Sequence, residues 1–157
     1  MQSLGLINAS LKNHTVLITG GGSGIGFSTA LLFARMNANV AINYLPKDND
    51  SKNRVINLKK KYKNVLAFPG DVSLEETAKE IVQETQKKFN GLNYLINNVG
   101  IALVDKPIPF QNLNKFDNEF WHKIMNVNLM SAFYCSKAAA KELKIKKGSI
   151  VNVTSVS

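Results

Sequence analysis

Short apolar runs alternate with longer amphipathic stretches along the whole chain. The runs consist mainly of Val, Ile, Leu and Ala without polar alternation, which is typical of strands buried on both faces of a parallel sheet. They cover residues 16–18, 40–42, 65–68, 95–96 and 150–151. The pattern therefore predicts five buried strands in chain order.

The stretches between the strands carry apolar residues every three or four positions, which places these residues on one face of a helix. The stripes are Ile25, Thr29, Leu32 or Phe33 and Met36; then Leu74, Ala78, Ile81, Val82, Thr85 and Phe89; and finally Phe120, Ile124, Val127 and Tyr134. A further helix is predicted over residues 52–63. Ser73 and Glu76 have the spacing of a capping box, so the helix after the third strand is predicted to open with Ser73 as its cap.

This alternation predicts an α/β fold, a doubly wound parallel sheet of Rossmann-like type with helices on both faces. Right-handed crossovers place the first strand in the middle of the sheet and reverse the winding between the first and fourth strands. Ligands bind at such a switch, outside the carboxyl ends of the strands. Residues 1–157 form one domain in this interpretation, and we expect the C-terminal part of the fold to be missing because the chain stops directly after the fifth strand.

A glycine-rich segment joins the first strand to the first helix and reads Thr19-Gly20-Gly21-Gly22-Ser23-Gly24-Ile25-Gly26. Glycines permit positive φ angles and let the backbone approach a ligand closely. The free N–H groups at the start of the helix favour a pyrophosphate. The spacing is not that of the G-x-G-x-x-G fingerprint, and a plain tight turn is the alternative interpretation.

The glycine segment matches the T-G-x-x-x-G-x-G motif of the short-chain dehydrogenase/reductase family, and further motifs of that family follow in the same order. They are Asp71-Val72, Asn97-Asn98-Val99-Gly100, Asn126-Val127-Asn128-Leu129 and residues 148–155 around the fifth strand. The chain resembles this family over residues 11–157. The resemblance implies an oxidoreductase that transfers a hydride between NAD(P)(H) and a carbonyl or secondary alcohol.

The resemblance also implies roles for individual residues. The cofactor would be bound by Thr19, Gly20, Ser23, Gly24, Ile25, Gly26, Asn43, Tyr44, Asp71, Val72, Asn97 and Gly100. Ser155 would polarise the substrate oxygen, and Asn128 would bend the helix and hold a water in a proton relay. Asn128 also stands out by itself, because Asn is unfavourable in a helix interior by roughly 0.5–0.7 kcal/mol relative to Ala. We expect it on the buried side of the helix, beside Val127.

The Tyr-x-x-x-Lys motif of the family does not occur in this sequence: Tyr134 stands three residues before Lys137, and Tyr62 directly before Lys63. A tyrosine without a neighbouring positive charge has a pKa of about 10 and is a poor base at neutral pH. We therefore expect residues 1–157 to be an inactive fragment of an enzyme that continues with this motif. The alternative is a catalytically inactive dinucleotide-binding module that acts as a sensor or scaffold.

The end of the second strand bears on the choice of cofactor. NAD-specific relatives usually carry an Asp there, whereas this chain has Tyr44, preceded by Asn43 and followed closely by Lys47. No carboxylate would repel a 2′-phosphate, so NADP is the preferred cofactor and NAD the alternative. Ser23 and Leu45 argue against this preference, because NADP-binding relatives often have a basic residue at those two positions.

The chain carries 20 Lys and Arg against 11 Asp and Glu, a net charge of +9 that raises nucleic acid as a partner. Seven basic and two acidic residues fall between Lys47 and Lys63, and the other lysines are scattered. The sequence has no zinc-ligand spacing and no basic patch interleaved with aromatic residues. We therefore expect a solvated lysine-rich face, no nucleic-acid partner and no bound metal.

No apolar run approaches the ~20 residues that span a bilayer. The N-terminus lacks the pattern of a secretory signal, and Cys135 has no possible partner within the chain. These features predict a cytoplasmic protein without a membrane partner. From the family resemblance we expect a small carbonyl or alcohol substrate and a homo-oligomer in the full-length form.

Overall fold

The computed structural model describes residues 10–104 and 110–155. Residues 1–9, where the sequence suggests no secretory signal, lie outside this part. The strands are β1 (Thr15–Ile18), β2 (Asn39–Tyr44), β3 (Val65–Pro69), β4 (Tyr94–Asn97) and β5 (Ser149–Asn152). The helices are α1 (Gly24–Arg35), α2 (Asn49–Lys61), α3 (Glu75–Phe89), α4 (Asn118–Met125) and α5 (Ser131–Lys146), with a short 3-10 helix at Phe110–Lys115.

The strands form one parallel sheet in the order β3-β2-β1-β4-β5. The predicted doubly wound arrangement is confirmed, because β1 is central and the winding reverses between β1 and β4. The register aligns the strand ends: Tyr44 pairs with Pro69, and Asn97 pairs with Asn152. The loops that follow the strands therefore meet at one edge of the sheet, which is called the carboxyl edge below.

The core lies on both faces of the sheet, and β1 contributes to both. Val16 and Ile18 belong to a cluster with residues of α1 and α2, whereas Leu17 belongs to a cluster with residues of α3 and α5. All three side chains are completely buried. This burial confirms that the apolar run of β1 is a strand covered on both faces, as its lack of polar alternation predicts.

The edge strand β5 departs from the prediction of burial. All four of its residues are exposed, with Ile150 at 41% and Val151 at 50%. β5 pairs with β4 on one side, no strand among the described residues pairs with its other side, and none of its residues belongs to a described core cluster. An apolar edge strand with unpaired backbone groups is an unusual feature in a stable soluble domain.

The start of α3 also differs from the prediction. Asp71 Oδ1 accepts hydrogen bonds from both the backbone N–H of Ser73, at 3.0 Å, and the Ser73 hydroxyl, at 2.7 Å. Ser73 therefore does not cap the helix, whose cap position is Leu74 without any side-chain hydrogen bond. The predicted capping box is wrong because the Asp71 carboxylate engages the serine first.

The predicted helix around residues 120–134 is confirmed and is longer than the sequence indicates. It begins as α4, passes through a π-helical turn at Asn126–Met130, and continues as α5. The Ser131 hydroxyl donates to the Val127 carbonyl at 2.6 Å beside this turn. No helix in the described ranges is both long enough and apolar enough to cross a membrane.

The first turn of α2 provides a test of the local energetics. Asp48 accepts hydrogen bonds from the Ser51 hydroxyl, at 2.6 Å, and from the Ser51 backbone N–H, at 2.9 Å. These bonds hold the pKa of the Asp48 carboxyl below its ordinary value. Asp48→Ala should lower the free energy of unfolding, measured by urea denaturation at pH 7, by about 1 kcal/mol.

The sign of the pH dependence follows from the lowered pKa of Asp48. Because this pKa is lower in the folded chain, the ionised Asp48 carboxylate stabilises the fold at any pH above the ordinary Asp pKa of about 3.9. This stabilisation is lost as the pH falls through the lowered pKa of the folded chain. The stability difference between wild type and Asp48→Ala should therefore close in acid. Asp50→Ala, in the same turn, is the matched control, and an equal loss in both variants would contradict the capping role.

Candidate functional site

The loop between β1 and α1 exposes the start of a helix at the carboxyl edge. Gly20, at φ +60°, and Gly24, at φ +51°, adopt the left-handed backbone region that favours glycine. Ser23 occupies the cap position of α1 but makes no side-chain capping bond, and the first turn of α1 contains no acidic residue. The first N–H groups of α1 are therefore left for an external acceptor.

The loop glycines serve different purposes. A Cβ atom on Gly26 would lie 2.5 Å from the Gly20 carbonyl oxygen and 2.6 Å from Asn98 Nδ2, so only glycine lets α1 pack against the loop. A Cβ atom on Gly24 would meet no atom within 4 Å. Gly24 therefore borders open space at the start of the helix, where a ligand could approach the backbone.

The segment after β4 fixes the loop from one side. The Thr19 hydroxyl accepts a hydrogen bond from the Asn98 backbone N–H at 3.0 Å, and Asn98 Nδ2 donates to the carbonyls of Thr19, at 3.3 Å, and Gly20, at 3.1 Å. The Thr19 hydroxyl is thus used within the protein and does not point to a ligand site. Asn98 is missing from the site predicted from the sequence. Its position beside Asn97, directly after a predicted strand, could have indicated that it belongs there.

The end of β2 fixes the loop from the other side. Asn43 is 1% exposed, and its Nδ2 donates to the carbonyls of Phe68, at 3.0 Å, and Gly70, at 2.9 Å. The backbone N–H of Gly20 donates to Asn43 Oδ1 at 3.4 Å, and that of Gly21 donates to the Asn43 carbonyl at 2.8 Å. The polar atoms of Asn43 therefore bind the protein backbone.

Tyr44 is also directed inward. It is 7% exposed and belongs to the same hydrophobic cluster as Val55 and Leu58 of α2, and its burial raises the pKa of the phenol. The last residue of β2 is thus a buried phenol and not a carboxylate, and the next residue, Leu45, is exposed. Neither Tyr44 nor Leu45 therefore brings a charge to this strand end.

Four other predicted residues lie at the carboxyl edge. Asp71 is half-buried and uses Oδ1 for Ser73, and its neighbour Val72 is buried in the core. Ile25 is 65% exposed in the first turn of α1. Gly100 is exposed, and a Cβ atom there would meet only Asn128 Oδ1, at 3.7 Å, so packing within the described residues does not require this glycine.

Asn97 lies on the far side of β4 from the loop. Its Nδ2 donates to Asn152 Oδ1 at 2.9 Å and to the Ser136 hydroxyl at 3.1 Å, which ties β4 to β5 and α5. Its Oδ1 is buried without a hydrogen-bond partner among the described residues. Asn97 therefore joins structural elements, whereas Asn98, the second asparagine of the pair, faces the glycine loop.

Asn128 lies in the π turn and is exposed, so the expectation that it is buried beside Val127 is wrong. Asn128 Oδ1 accepts from the Ile101 backbone N–H at 2.8 Å, and Asn128 Nδ2 donates to the Ile101 carbonyl at 3.0 Å. The widened turn carries the amide to the segment after β4, whose backbone supplies both partners. Ser155 is exposed, three residues beyond the end of β5 on the same edge.

Two further features complete the site. The Arg54 guanidinium, on α2, donates from Nη1 to the Gly22 carbonyl at 3.2 Å, a contact that the sequence did not indicate. Over residues 10–104 and 110–155, no three His, Cys, Asp or Glu side chains come close enough to hold a metal ion. The site thus consists of an open helix start, braced glycines and amide side chains.

The sequence model of the short chain dehydrogenases matches residues 14–157, which is most of the chain. The chain belongs to the short-chain dehydrogenase family. The resemblance inferred from the motifs is therefore confirmed, and the glycine loop, the Asn98 segment and the π turn are the forms that these family motifs take here.

Two curated relatives are similar over nearly the whole chain. An L-rhamnose-1-dehydrogenase of Scheffersomyces stipitis is 34% identical over 157 residues, covering 94% of this chain and 57% of that protein. An uncharacterized oxidoreductase of Thermotoga maritima is 36% identical over 148 residues, covering 93% of this chain and 55% of that protein. The chain thus spans little more than half the length of these two relatives.

A solved short-chain dehydrogenase supports the fold directly. The enzyme from Burkholderia cenocepacia, determined in complex with NADP, superimposes with a TM-score of 0.79 at 27% sequence identity. The match covers 93% of this chain and 57% of that chain. The Rossmann-like sheet predicted from the sequence is therefore the sheet of this family.

The brace of the glycine loop gives a testable prediction. Thr19→Val preserves the shape of the side chain but leaves the Asn98 N–H, 3.0 Å from the hydroxyl in wild type, without its acceptor. We expect the free energy of unfolding to fall by about 1–3 kcal/mol. Thr19→Ser keeps the hydroxyl and should lose less than half as much; equal losses in the two variants would show that the methyl group matters and the hydrogen bond does not.

Proposed function

We propose that this chain is the N-terminal part of an oxidoreductase that transfers a hydride between NADP(H) and a carbonyl or secondary alcohol. The observation that carries the proposal is the start of α1, which has no side-chain cap and borders open space at Gly24 beside the β1–β4 switch. A helix start of this kind binds phosphate through its backbone N–H groups and the positive end of its dipole.

The remaining residues of the edge fit a dinucleotide that extends from this point. The backbone from Gly20 to Gly26 would hold the pyrophosphate, with Ser23 and Ile25 exposed beside it. The Asp71 carboxylate would accept from the amino group of adenine, because Ser73 engages only its Oδ1. Thr19, Asn43 and Asn97 would act indirectly by holding the strand ends in place.

The bound cofactor would supply or accept the hydride, and residues of the chain would handle the substrate oxygen. Asn128 is oriented by its two hydrogen bonds to Ile101, which use one of its two N–H groups and one lone pair of its oxygen. One donor and one acceptor position remain for a water, as a proton relay requires. Ser155 would polarise the substrate oxygen from the same edge.

The proton donor itself is not assigned within residues 1–157, because no Tyr-x-x-x-Lys occurs in the sequence. The proposal therefore assigns proton transfer to a part of the whole protein beyond these residues. The same observation favours a second candidate, a catalytically inactive dinucleotide-binding sensor or scaffold. Turnover by the whole protein separates the two, since only the enzyme oxidises NADPH in the presence of a carbonyl substrate.

The preference for NADP over NAD rests on the end of β2. NAD-binding folds use an acidic residue there to bind the 2′-hydroxyl of the ribose. Tyr44 stands in this place and is buried, and the net charge of the chain is +9. A 2′-phosphate would therefore not meet the carboxylate that NAD-binding folds carry at this position.

The same proposal includes a small-molecule substrate, a cytoplasmic location and a homo-oligomer for the whole protein, with neither nucleic acid nor membrane as a partner. The thiol of Cys135 is free and buried, and burial raises its pKa to about 12. A thiol in this state stays protonated and inert.

The cofactor site can be tested by blocking the open space at the helix start. Gly24→Val would direct a branched side chain into this space, and we expect the Kd for NADPH, measured by fluorescence titration, to rise about tenfold or more for each lost hydrogen bond to phosphate. The matched control is Asn90→Val, which places the same residue at φ 58° at the opposite edge of the sheet. Equal affinity of the Gly24→Val variant would contradict the site.

A second test concerns turnover by residues 1–157 alone. Incubated with NADPH and a panel of ketones, this polypeptide should show no oxidation of NADPH above the blank, because no tyrosine stands four residues before a lysine. Measurable turnover that disappears in Ser155→Ala would contradict the assignment of proton transfer to residues outside this range. Far-UV circular dichroism establishes in parallel that the polypeptide is folded.

A further inference from the structure

Arg54 is a cation directed at the glycine loop from a neighbouring helix. Its Nη1 donates to the Gly22 carbonyl at 3.2 Å, although the two residues lie 32 positions apart in the sequence. The helix α2 packs closely against the loop at this point, since a Cβ atom on Gly22 would overlap the side chain of Ser51. The first turns of α2 and the loop are therefore in direct contact, and the guanidinium is held beside them.

The guanidinium is not committed to an ion pair. Among the residues that the structure describes, Arg54 lies within salt-bridge distance of no carboxylate. Asp48 is close enough to interact electrostatically with Arg54, but both oxygens of the Asp48 carboxylate accept hydrogen bonds from Ser51. A guanidinium carries five N–H donors in a planar fork, and only one of them is used by Gly22.

Arg54 stands beside the place that distinguishes the two cofactors. In dinucleotide-binding folds the 2′ position of the adenosine ribose lies between the glycine loop and the end of the second strand. Gly22 lies on the α2 side of the loop, against Ser51, and α2 follows directly after β2. The chain has Ser23 in the loop and Leu45 after β2, so neither position supplies a positive charge.

We propose that Arg54 binds the 2′-phosphate of NADP and thereby selects this cofactor over NAD. The inference rests on the proposed function, because it requires the dinucleotide to occupy the glycine loop. A planar fork suits a phosphate group, with which arginine forms bidentate, charge-assisted hydrogen bonds. A cation supplied by α2 would replace the basic residues that the loop and the end of β2 lack.

The test compares variants of Arg54 by isothermal titration of the protein with NADPH, NADH, adenosine 2′,5′-bisphosphate and 5′-AMP. Arg54→Gln removes the charge, and Arg54→Lys keeps the charge without the fork. Lys60→Gln, in the last turn of the same helix, is the control for the loss of one positive charge. Thermal unfolding of each variant establishes that it is folded.

We expect wild type to bind NADPH more tightly than NADH. Arg54→Gln should raise the Kd for NADPH and for the bisphosphate about 10- to 100-fold, and should change the Kd for NADH and for 5′-AMP by less than about twofold. Arg54→Lys should fall between wild type and Arg54→Gln, and Lys60→Gln should resemble wild type.

The other outcomes overturn the inference and identify the reason. If Arg54→Gln raises the Kd of all four ligands by the same factor, the guanidinium only stabilises the conformation of the loop. If it changes none of them, or if Lys60→Gln has the same effect, Arg54 does not recognise the 2′-phosphate. If wild type binds NADH more tightly, the selection for NADP is wrong, and if it binds neither dinucleotide, the proposed function itself fails.

Discussion

The site depends on the close approach of two backbone segments at the centre of the sheet. A Cβ atom on Gly26 would lie 2.5 Å from the Gly20 carbonyl oxygen, and the Asn98 side chain, directly after β4, donates to that same carbonyl. The two contacts restrain the loop together. If the loop moved away from Asn98 it would lose the hydrogen bond to the Gly20 carbonyl, and if it moved toward α1 it would collide with Gly26. The open start of α1 is possible only because these buried contacts hold it.

Two asparagines at the ends of the strands that flank β1 hold the loop in place. The Asn43 side chain, on β2, accepts from the Gly20 N–H and donates to the Gly70 carbonyl. The Asn98 side chain, after β4, donates to the carbonyls of Thr19 and Gly20, so that both amides satisfy backbone groups from opposite sides of the loop. A carboxylate of the same shape has no N–H to offer these carbonyls, so aspartate is no substitute here. The amides therefore determine the shape of the edge without having to touch a ligand.

The sequence predicted the elements well because their signals are local. The apolar runs mark β1 to β4, and the glycine segment together with its place between strand and helix marks the loop. The roles of Asn98 and Arg54 depend on partners 78 and 32 positions away, and such contacts follow from sheet register and helix packing, which a local pattern does not contain. Asn128 was predicted as buried because a π turn has no simple pattern of residue types and shifts the exposed face.

The π turn also constrains the length of the chain, since it contains one more residue per turn than an α-helix. Loss of one residue between Asn126 and Met130 would restore regular α-helical bonding and rotate α4 by about 100° relative to α5. The buried stripe of α5, which includes Cys135 and Ala139, would keep its place, while Asn128 would turn away from Ile101. Apart from Asn128, this segment should therefore accept substitutions more readily than insertions or deletions, so that its length is constrained more strongly than its residue types.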